Sequence, residues 1–512
     1  MRIPLTALLA AALPLTVASS AAPARSAPTP AAPALDSVIP APVQVRPHGP
    51  AFRLTARTVI EAPHSARAVA DRLAEALRTT TGYRLPVVGH APARTPAITL
   101  ETGARLGAEA YELSAGRSGV TIRSGDNAGL FNGVQTLRQL VPLRAPFVVA
   151  GGEITDRPRF AYRGAMLDLA RHFHTPAEVK RYIDEISQFK VNHLHLHLSD
   201  DQGWRIQIDS WPRLTTVGGA PGTGVDGESG GYLTKAGYRD LVRYAAARHV
   251  TIVPEIDLPG HVNAAQVAYP ELTCDGVAPP PRTDTEVGYS SLCIGKEVTY
   301  RFVEDVIREL AAMTPGPLIH IGGDEAHATT EADYVAFQQR VLPLVAKYGK
   351  KAYGWNEITQ APASHTAVAQ NWSDKTSNPA LAAAVAAGTK VVMSPSNLTY
   401  LDMKYDPSTR LGLTWAGYIE VRKAYDWDPG THVTGVPESA VLGIEAPLWS
   451  ETLRNLDDIE FMAFPRLAAL AELGWSPARD WESFRARLGA YGPRWTARGV
   501  DFYPSPQIDW AG

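Results

Sequence analysis

Two acids stand side by side in the run Pro317-Leu318-Ile319-His320-Ile321-Gly322-Gly323-Asp324-Glu325-Ala326-His327. The run reads as a short apolar strand that turns on two glycines and then presents Asp324, Glu325 and a histidine. Glycine lets the backbone turn sharply and lets a ligand approach closely. Neighbouring carboxylates repel each other's ionisation, so one can keep its proton near neutral pH. A protonated acid beside an ionised one is what general acid/base cleavage of an acetal needs. The plainer alternative is a strand end with two solvated acids.

Other chemistry-bearing residues recur at strand ends. Trp355, Trp372, Trp415 and Trp449 lie at or just after such ends, with Arg171, Asp402 and Glu451 nearby in the pattern. Flat aromatic walls suit the apolar faces of sugar rings and a methyl group, and the charged groups suit hydroxyls, so together they read as a carbohydrate pocket. Core packing is the alternative for the tryptophans. Asp257 and His261 could relay polarity towards Glu325 or form a satisfied structural pair. His193, His195 and His197 alternate, so they share one strand face. They could be a metal-ligating comb, but polar filling of an interior is favoured, because H-E-x-x-H is absent.

The elements that must position these groups follow a strand-then-helix rhythm from about residue 160. Strands are expected at 165–169, 192–198, 250–254, 318–321, 352–355, 367–372, 390–394 and 441–446. Helices are expected at 235–249, 300–313, 333–347 and 459–473, with one more after the first strand. That first helix carries a capping box: Thr175 at N-cap, Pro176 at N1, Glu178 at N3. Eight such units suit a (β/α)₈ barrel, whose chemistry sits at the C-terminal ends of its strands. Before it, residues 41–155 read as a small α/β domain, with helices at 66–80 and 128–141 and strands at 97–100 and 120–123. The barrel domain is taken as 156–512.

The chain has 512 residues, 49 basic and 52 acidic, for a net charge of −3. That balance points to neither a nucleic-acid nor a membrane-surface partner. Arg2, an apolar run over 3–17 and small residues at 18–22 read as a secretory leader spanning 1–22. Residues 23–40 are Ala/Pro-rich and expected to be disordered. The mature protein is therefore expected to be exported. Cys274 and Cys293 are the only cysteines, so a disulfide is expected. Closing that loop is worth about 3 kcal/mol by chain entropy.

Six segments together resemble glycoside hydrolase family 20, and secreted bacterial β-N-acetylhexosaminidases most of all. They are Arg171-His172-Phe173, residues 193–204, residues 254–261, residues 320–327, Tyr400-Leu401-Asp402 and Trp449-Ser450-Glu451. The resemblance covers nearly everything after residue 40. It implies an exo-acting enzyme that needs neither metal nor organic cofactor and takes a carbohydrate substrate bearing a 2-acetamido group. It also implies substrate assistance, in which the acetamido oxygen is the nucleophile. On that pattern Glu325 is the acid/base and Asp324 orients the acetamide. Tyr400 donates to the acetamide oxygen, while Trp355, Trp372 and Trp449 wall it. Arg171, Asp402 and Glu451 hold hydroxyls, Asp200 and His261 support the site, and Trp415 lines the sugar. The Gly-rich stretch 217–231 is where the extent of the bound substrate would be set. Release of a disaccharide, a metal-dependent hydrolase and a non-catalytic glycan binder are the rival readings.

Overall fold

A computed structural model of the chain describes residues 32–362 and 364–511. The expected leader over 1–22 lies outside the described residues, as do residues 23–31. The remainder of the segment expected to be disordered is a correction. Leu35, Val38 and Ile39 are each no more than 1% exposed. Ile39 N donates to Gln139 Oε1 at 2.8 Å, and Arg487 Nη1 donates to Val38 O at 2.9 Å. Composition favoured disorder, but three apolar side chains at close spacing had packed surfaces to enter.

Residues 44–156 build a seven-stranded mixed sheet in the order Gln44–Pro47, Gly152–Asp156, Tyr111–Gly116, Gly119–Ser124, Ala97–Glu101, Val59–Glu61, Val87–Val88. Helices Arg67–Thr81 and Asn127–Leu140 pack on it through Val69, Leu73, Leu77, Leu130, Val134 and Leu137. Those positions recur at three and four, which places them on one helix face. Asp126 caps the second helix by accepting from Gly129 N.

The barrel strands are β1 (Tyr162–Asp168), β2 (His193–His197), β3 (Thr251–Glu255), β4 (Leu318–His320), β5 (Lys351–Trp355), β6 (Val368–Asn371), β7 (Lys390–Met393) and β8 (Val441–Ala446). They form a closed barrel of parallel strands, with β1 paired to both β2 and β8. The capping box at Thr175 and Glu178 opens helix Pro176–Ile186. Two sequence expectations change near the C-terminus. The helix expected at 459–473 is two helices, Leu456–Ala463 and Arg466–Trp475, because Pro465 has no N–H to continue the ladder. Helix Trp481–Arg498, which holds Pro493 inside it, had no counterpart in the sequence reading.

The barrel interior changes character along its axis. Tyr162, Val253, Leu318, Tyr353, Val368 and Val392 form a small apolar cluster inside. Two residues further along three of those strands the interior turns polar at Glu255, His320 and Gln370, and His195 from β2 and Glu445 from β8 join them, all fully buried. Side chains two apart share a strand face, so the apolar layer is the floor beneath a charged one. Barrel interiors are ordinarily filled by bulky branched residues.

A buried cation joins the sheet to the barrel. Lys190 Nζ lies 3.0 Å from Asp156 Oδ2, with both side chains sealed from solvent. Asp156 also accepts from Tyr111 Oη at 2.7 Å and Trp475 Nε1 at 3.0 Å. Lys190 Nζ sits 4.4 Å from the Trp475 ring centre. Removing one partner of a buried pair strands the other charge. Asp156→Ala is therefore expected to lower the unfolding free energy by about 3–5 kcal/mol, read by urea denaturation. A loss within 1 kcal/mol or so would remove Lys190 as the joint.

Candidate active site

The turn after β4 is built on two left-handed glycines, Gly322 (φ 65°) and Gly323 (φ 107°). A Cβ at Gly322 would lie 1.7 Å from Asp257 Oδ1, so only glycine fits. Gly323 N donates to that same oxygen at 2.9 Å. Asp324 and Glu325 follow. Glu325 is itself left-handed (φ 44°), and so is His261 (φ 54°). Each costs about 1–3 kcal/mol, and such strain gathers at sites that do chemistry.

Asp324 and Glu325 are neighbours in the chain, but the close carboxylate of Asp324 is Asp257. Burial first, then Asp257, pushes Asp324 well above the ordinary carboxylate range, while His261 pulls it down. Burial raises Asp257 likewise. Glu325 adds to the upward push on Asp324, but Asp257 contributes more. The left-handed backbone at Glu325 turns its side chain away, leaving it 29% exposed against 12% for Asp324. His261 Nε2 stands between them, 3.5 Å from Glu325 Oε2 and 3.8 Å from Asp324 Oδ2.

Asp200 lies buried behind His261 and Arg171. Its oxygens are engaged by His261 Nδ1 (3.1 Å), His197 Nε2 (2.8 Å), Arg171 Nη2 (2.8 Å) and Asp201 N (2.6 Å). Arg171 also meets Asp168 Oδ2 at 3.3 Å and lies over the Trp449 ring at 4.9 Å. Burial works against the Arg171 charge, but Asp200, Asp168 and Glu451 hold it firmly protonated.

The aromatic residues form one belt. Ring centres are 5.7 Å apart for Trp355–Trp449, 6.3 Å for Tyr400–Trp449, 5.7 Å for Tyr400–Trp415 and 6.3 Å for Trp372–Trp415. Trp355 is buried at its base, and Trp415 stands 56% exposed at its rim. Burial, with Asp324 nearby, raises the Tyr400 phenol well above its usual value, so it stays a donor. Asp402 is 2% exposed, yet neither of its oxygens has a protein partner. Glu451 Oε2 and Asp324 Oδ1 are likewise buried without one. Buried acceptors are normally satisfied, so these three point to hydroxyl and amide donors of a ligand.

Several contributors escaped the sequence reading. Asp168 and Gln202 hold Arg171. Glu357 accepts from Trp372 Nε1 at 3.1 Å and is pushed up to about 8 by burial and then Asp324. Glu255 lies two residues before Asp257 on one strand face, a spacing that could have flagged it. Cys274 and Cys293 are bonded, as expected. Their loop carries Ser290, which donates to Asp201 Oδ1 at 2.6 Å, and Asp284, whose carbonyl accepts from Gln202. His195 and His197 fill the barrel interior between carboxylates, and His193 stacks on Tyr162 at 4.1 Å.

A barrel with paired acids at its mouth and an aromatic belt around a cluster of unpartnered carboxylates defines a carbohydrate-cleaving site. Residues 160–478 match the family model "Glycosyl hydrolase family 20, catalytic domain", and residues 36–157 match that family's domain 2. The chain belongs to glycosyl hydrolase family 20 and is a glycoside hydrolase. It is 41% identical over 486 residues to a β-N-acetylhexosaminidase of Cellulomonas fimi, covering 93% of this chain and 97% of that one. It is similar to the solved family-20 β-N-acetylhexosaminidase of Streptomyces coelicolor A3(2), at 53% identity and a TM-score of 0.92, over 94% and 100% of the two chains. A mutant Streptomyces plicatus β-hexosaminidase in complex with product (GlcNAc) matches at 54% identity and a TM-score of 0.91, over 94% and 99%.

The raised acids have a cost in stability. A carboxyl whose folded value exceeds its unfolded one binds more protons when folded, so stability falls as pH rises above the ordinary carboxylate range. Asp324→Asn keeps the shape and removes that titration. It is expected to gain about 0.5–2 kcal/mol at neutral to alkaline pH and to flatten the alkaline fall of the thermal midpoint. A midpoint that follows the parent's at every pH would show that Asp324 is not the strained group.

Proposed function

We propose that this protein is an exo-acting β-N-acetylhexosaminidase. It removes terminal, non-reducing β-linked N-acetylglucosamine or N-acetylgalactosamine, with retention at C1. The observation that carries this reading is the company Glu325 keeps. Beside it lies a buried Asp257–Asp324 pair, whose mutual repulsion favours holding a single proton between them, next to an aromatic pocket with a donor, Tyr400.

The steps follow from those placements. The pocket of Trp355, Trp372 and Trp449 holds the acetamido methyl, and Tyr400 donates to the acetamido oxygen. That oxygen attacks C1 as Glu325 gives its proton to the departing glycosidic oxygen, leaving an oxazolinium ring. Asp324, ionised when the one proton of the pair sits on Asp257, accepts from the acetamido N–H and balances the charge that develops there. Water then attacks C1 as Glu325 takes its proton, and the two inversions sum to retention. An intramolecular nucleophile profits from high effective molarity, so the protein's task is orientation. Arg171, Asp402 and Glu451 hold the hydroxyls, and Trp415 at the rim flanks the sugar. Export belongs to the same proposal. It is supported by Arg2, the apolar run over 3–17 and the disulfide. Among the described residues no helix is long and apolar enough to cross a membrane.

Glu325→Gln is expected to lose about 10²–10⁴-fold in kcat on chitooligosaccharides and less on aryl glycosides with good leaving groups. Unchanged turnover would remove Glu325 as the acid/base. A thiazoline mimic of the bicyclic intermediate is expected to bind about 10² times or more tighter than the product sugar. Equal affinity would argue for an enzyme nucleophile instead.

A further inference from the structure

The barrel interior beneath the pocket holds a row of buried charges that the proposed reaction leaves unused. Glu445 Oε1 lies 2.9 Å from His195 Nδ1, and His195 Nε2 lies 3.0 Å from Glu255 Oε2. Glu255 Oε2 lies 2.5 Å from His197 Nδ1, and His197 Nε2 lies 2.8 Å from Asp200 Oδ2. Asp200 then meets His261, which faces Glu325. Both nitrogens of His197 hydrogen-bond carboxylate oxygens, which only accept, so that ring is an imidazolium. His195 hydrogen-bonds Glu445 through Nδ1, and its Nε2 lies near Glu255 without hydrogen-bonding geometry. Charge alternates along the row, from a glutamate in the barrel's centre to the acid/base at its mouth.

Such a row is expensive. Well-packed apolar residues in place of a buried ion pair are often neutral or stabilising. The gain must lie elsewhere, and Glu255 shows where. Its second oxygen accepts from Trp355 Nε1 at 3.0 Å and faces His320 Nδ1 at 2.8 Å. One carboxylate thus has an arm to the aromatic base of the pocket and another, through His197 and Asp200, to Arg171 and His261. We infer that Glu255 is a positioning residue that couples the acetamide-pocket tryptophan Trp355 to the Asp200–His261 support of Glu325. This rests on the hexosaminidase reading.

The groups facing Glu255 are His195 and His197 from β2, His320 from β4 and Trp355 from β5. Asp257 follows two residues along its own chain, and Glu445 and Asp200 lie behind the two imidazoliums. Burial opposes ionisation throughout, yet its three histidine neighbours hold Glu255 well below the usual carboxylate range. In return Glu445 and Glu255 push His195 up to about 9, and Glu255 with Asp200 pushes His197 up to about 10. His320 is lowered by burial against the opposing pull of Glu255.

Removing the one negative charge of Glu255 makes each neighbouring imidazolium easier to deprotonate. Glu255→Gln in the full chain is therefore expected to lower kcat/KM on an aryl N-acetyl-β-glucosaminide by about tenfold to a hundredfold. The basic limb of its pH profile should move to lower pH. Glu255→Asp, which keeps the charge, should return the limb towards its original place. His197→Asn cuts only the Asp200 arm and spares Trp355. It should move the limb with little change in KM, and it serves where Glu255→Gln does not fold. A limb that stays in place in the folded variants, whatever their thermal midpoints, would reduce Glu255 to a structural residue and overturn the inference. A parent enzyme with no turnover would instead overturn the hexosaminidase reading, and this inference with it.

Discussion

Asp200 is the point on which the site turns. Its carboxylate is almost wholly removed from water and answers to Arg171, His197 and His261 at once. Burial alone would neutralise it, but those three cations keep it ionised far below the ordinary range. In a medium of low dielectric each of these contacts is stronger than it would be at the surface. Arg171 and His261, the histidine beside Glu325, are therefore held in register by one anion. Four loops and strands meet there, and none of them could shift without unpairing a buried charge.

The rest of the barrel supplies what that anion needs. The parallel strands place His197, Asp200 and His261 from two successive units within reach of one another. The glycine pair at 322 and 323 brings the next unit against Asp257, and the left-handed turn at Glu325 separates two carboxylates adjacent in the chain. Asp324 then faces inward beside Asp257, while Glu325 faces the mouth. The different surroundings of two adjacent acids are thus a matter of backbone conformation. The energy for these strained turns and buried acids comes from the apolar shell between strands and helices, and from the sheet that clamps the barrel through Lys190 and Asp156.

Much of this was legible before folding. The apolar runs at 318–321, 352–355 and 441–446, each followed by acids or tryptophan, marked strand ends within a few residues of where β4, β5 and β8 stop. Thr175, Pro176 and Glu178 announced a helix start because capping is local chemistry. The misreadings share a cause. The helix expected at 459–473 ran through Pro465, which divides it, and no helix was expected at 481–498, where packing tolerates Pro493 inside one. Leu35, Val38 and Ile39 sit in a composition that argues for disorder, and only a partner surface makes them core.

The sequence by itself determined the order of strands and helices, the presence of an acid pair behind two glycines, and the residue types of a carbohydrate pocket. These depend on spacing and composition within one segment. Which charged groups lie against which carboxylate was decided only in three dimensions. Asp324 pairs with Asp257, Asp200 with Arg171, and Glu255 with histidines on two neighbouring strands. A pKa is set by burial and by charges within a few ångströms, and closing the barrel is what brings residues far apart in the chain to that distance.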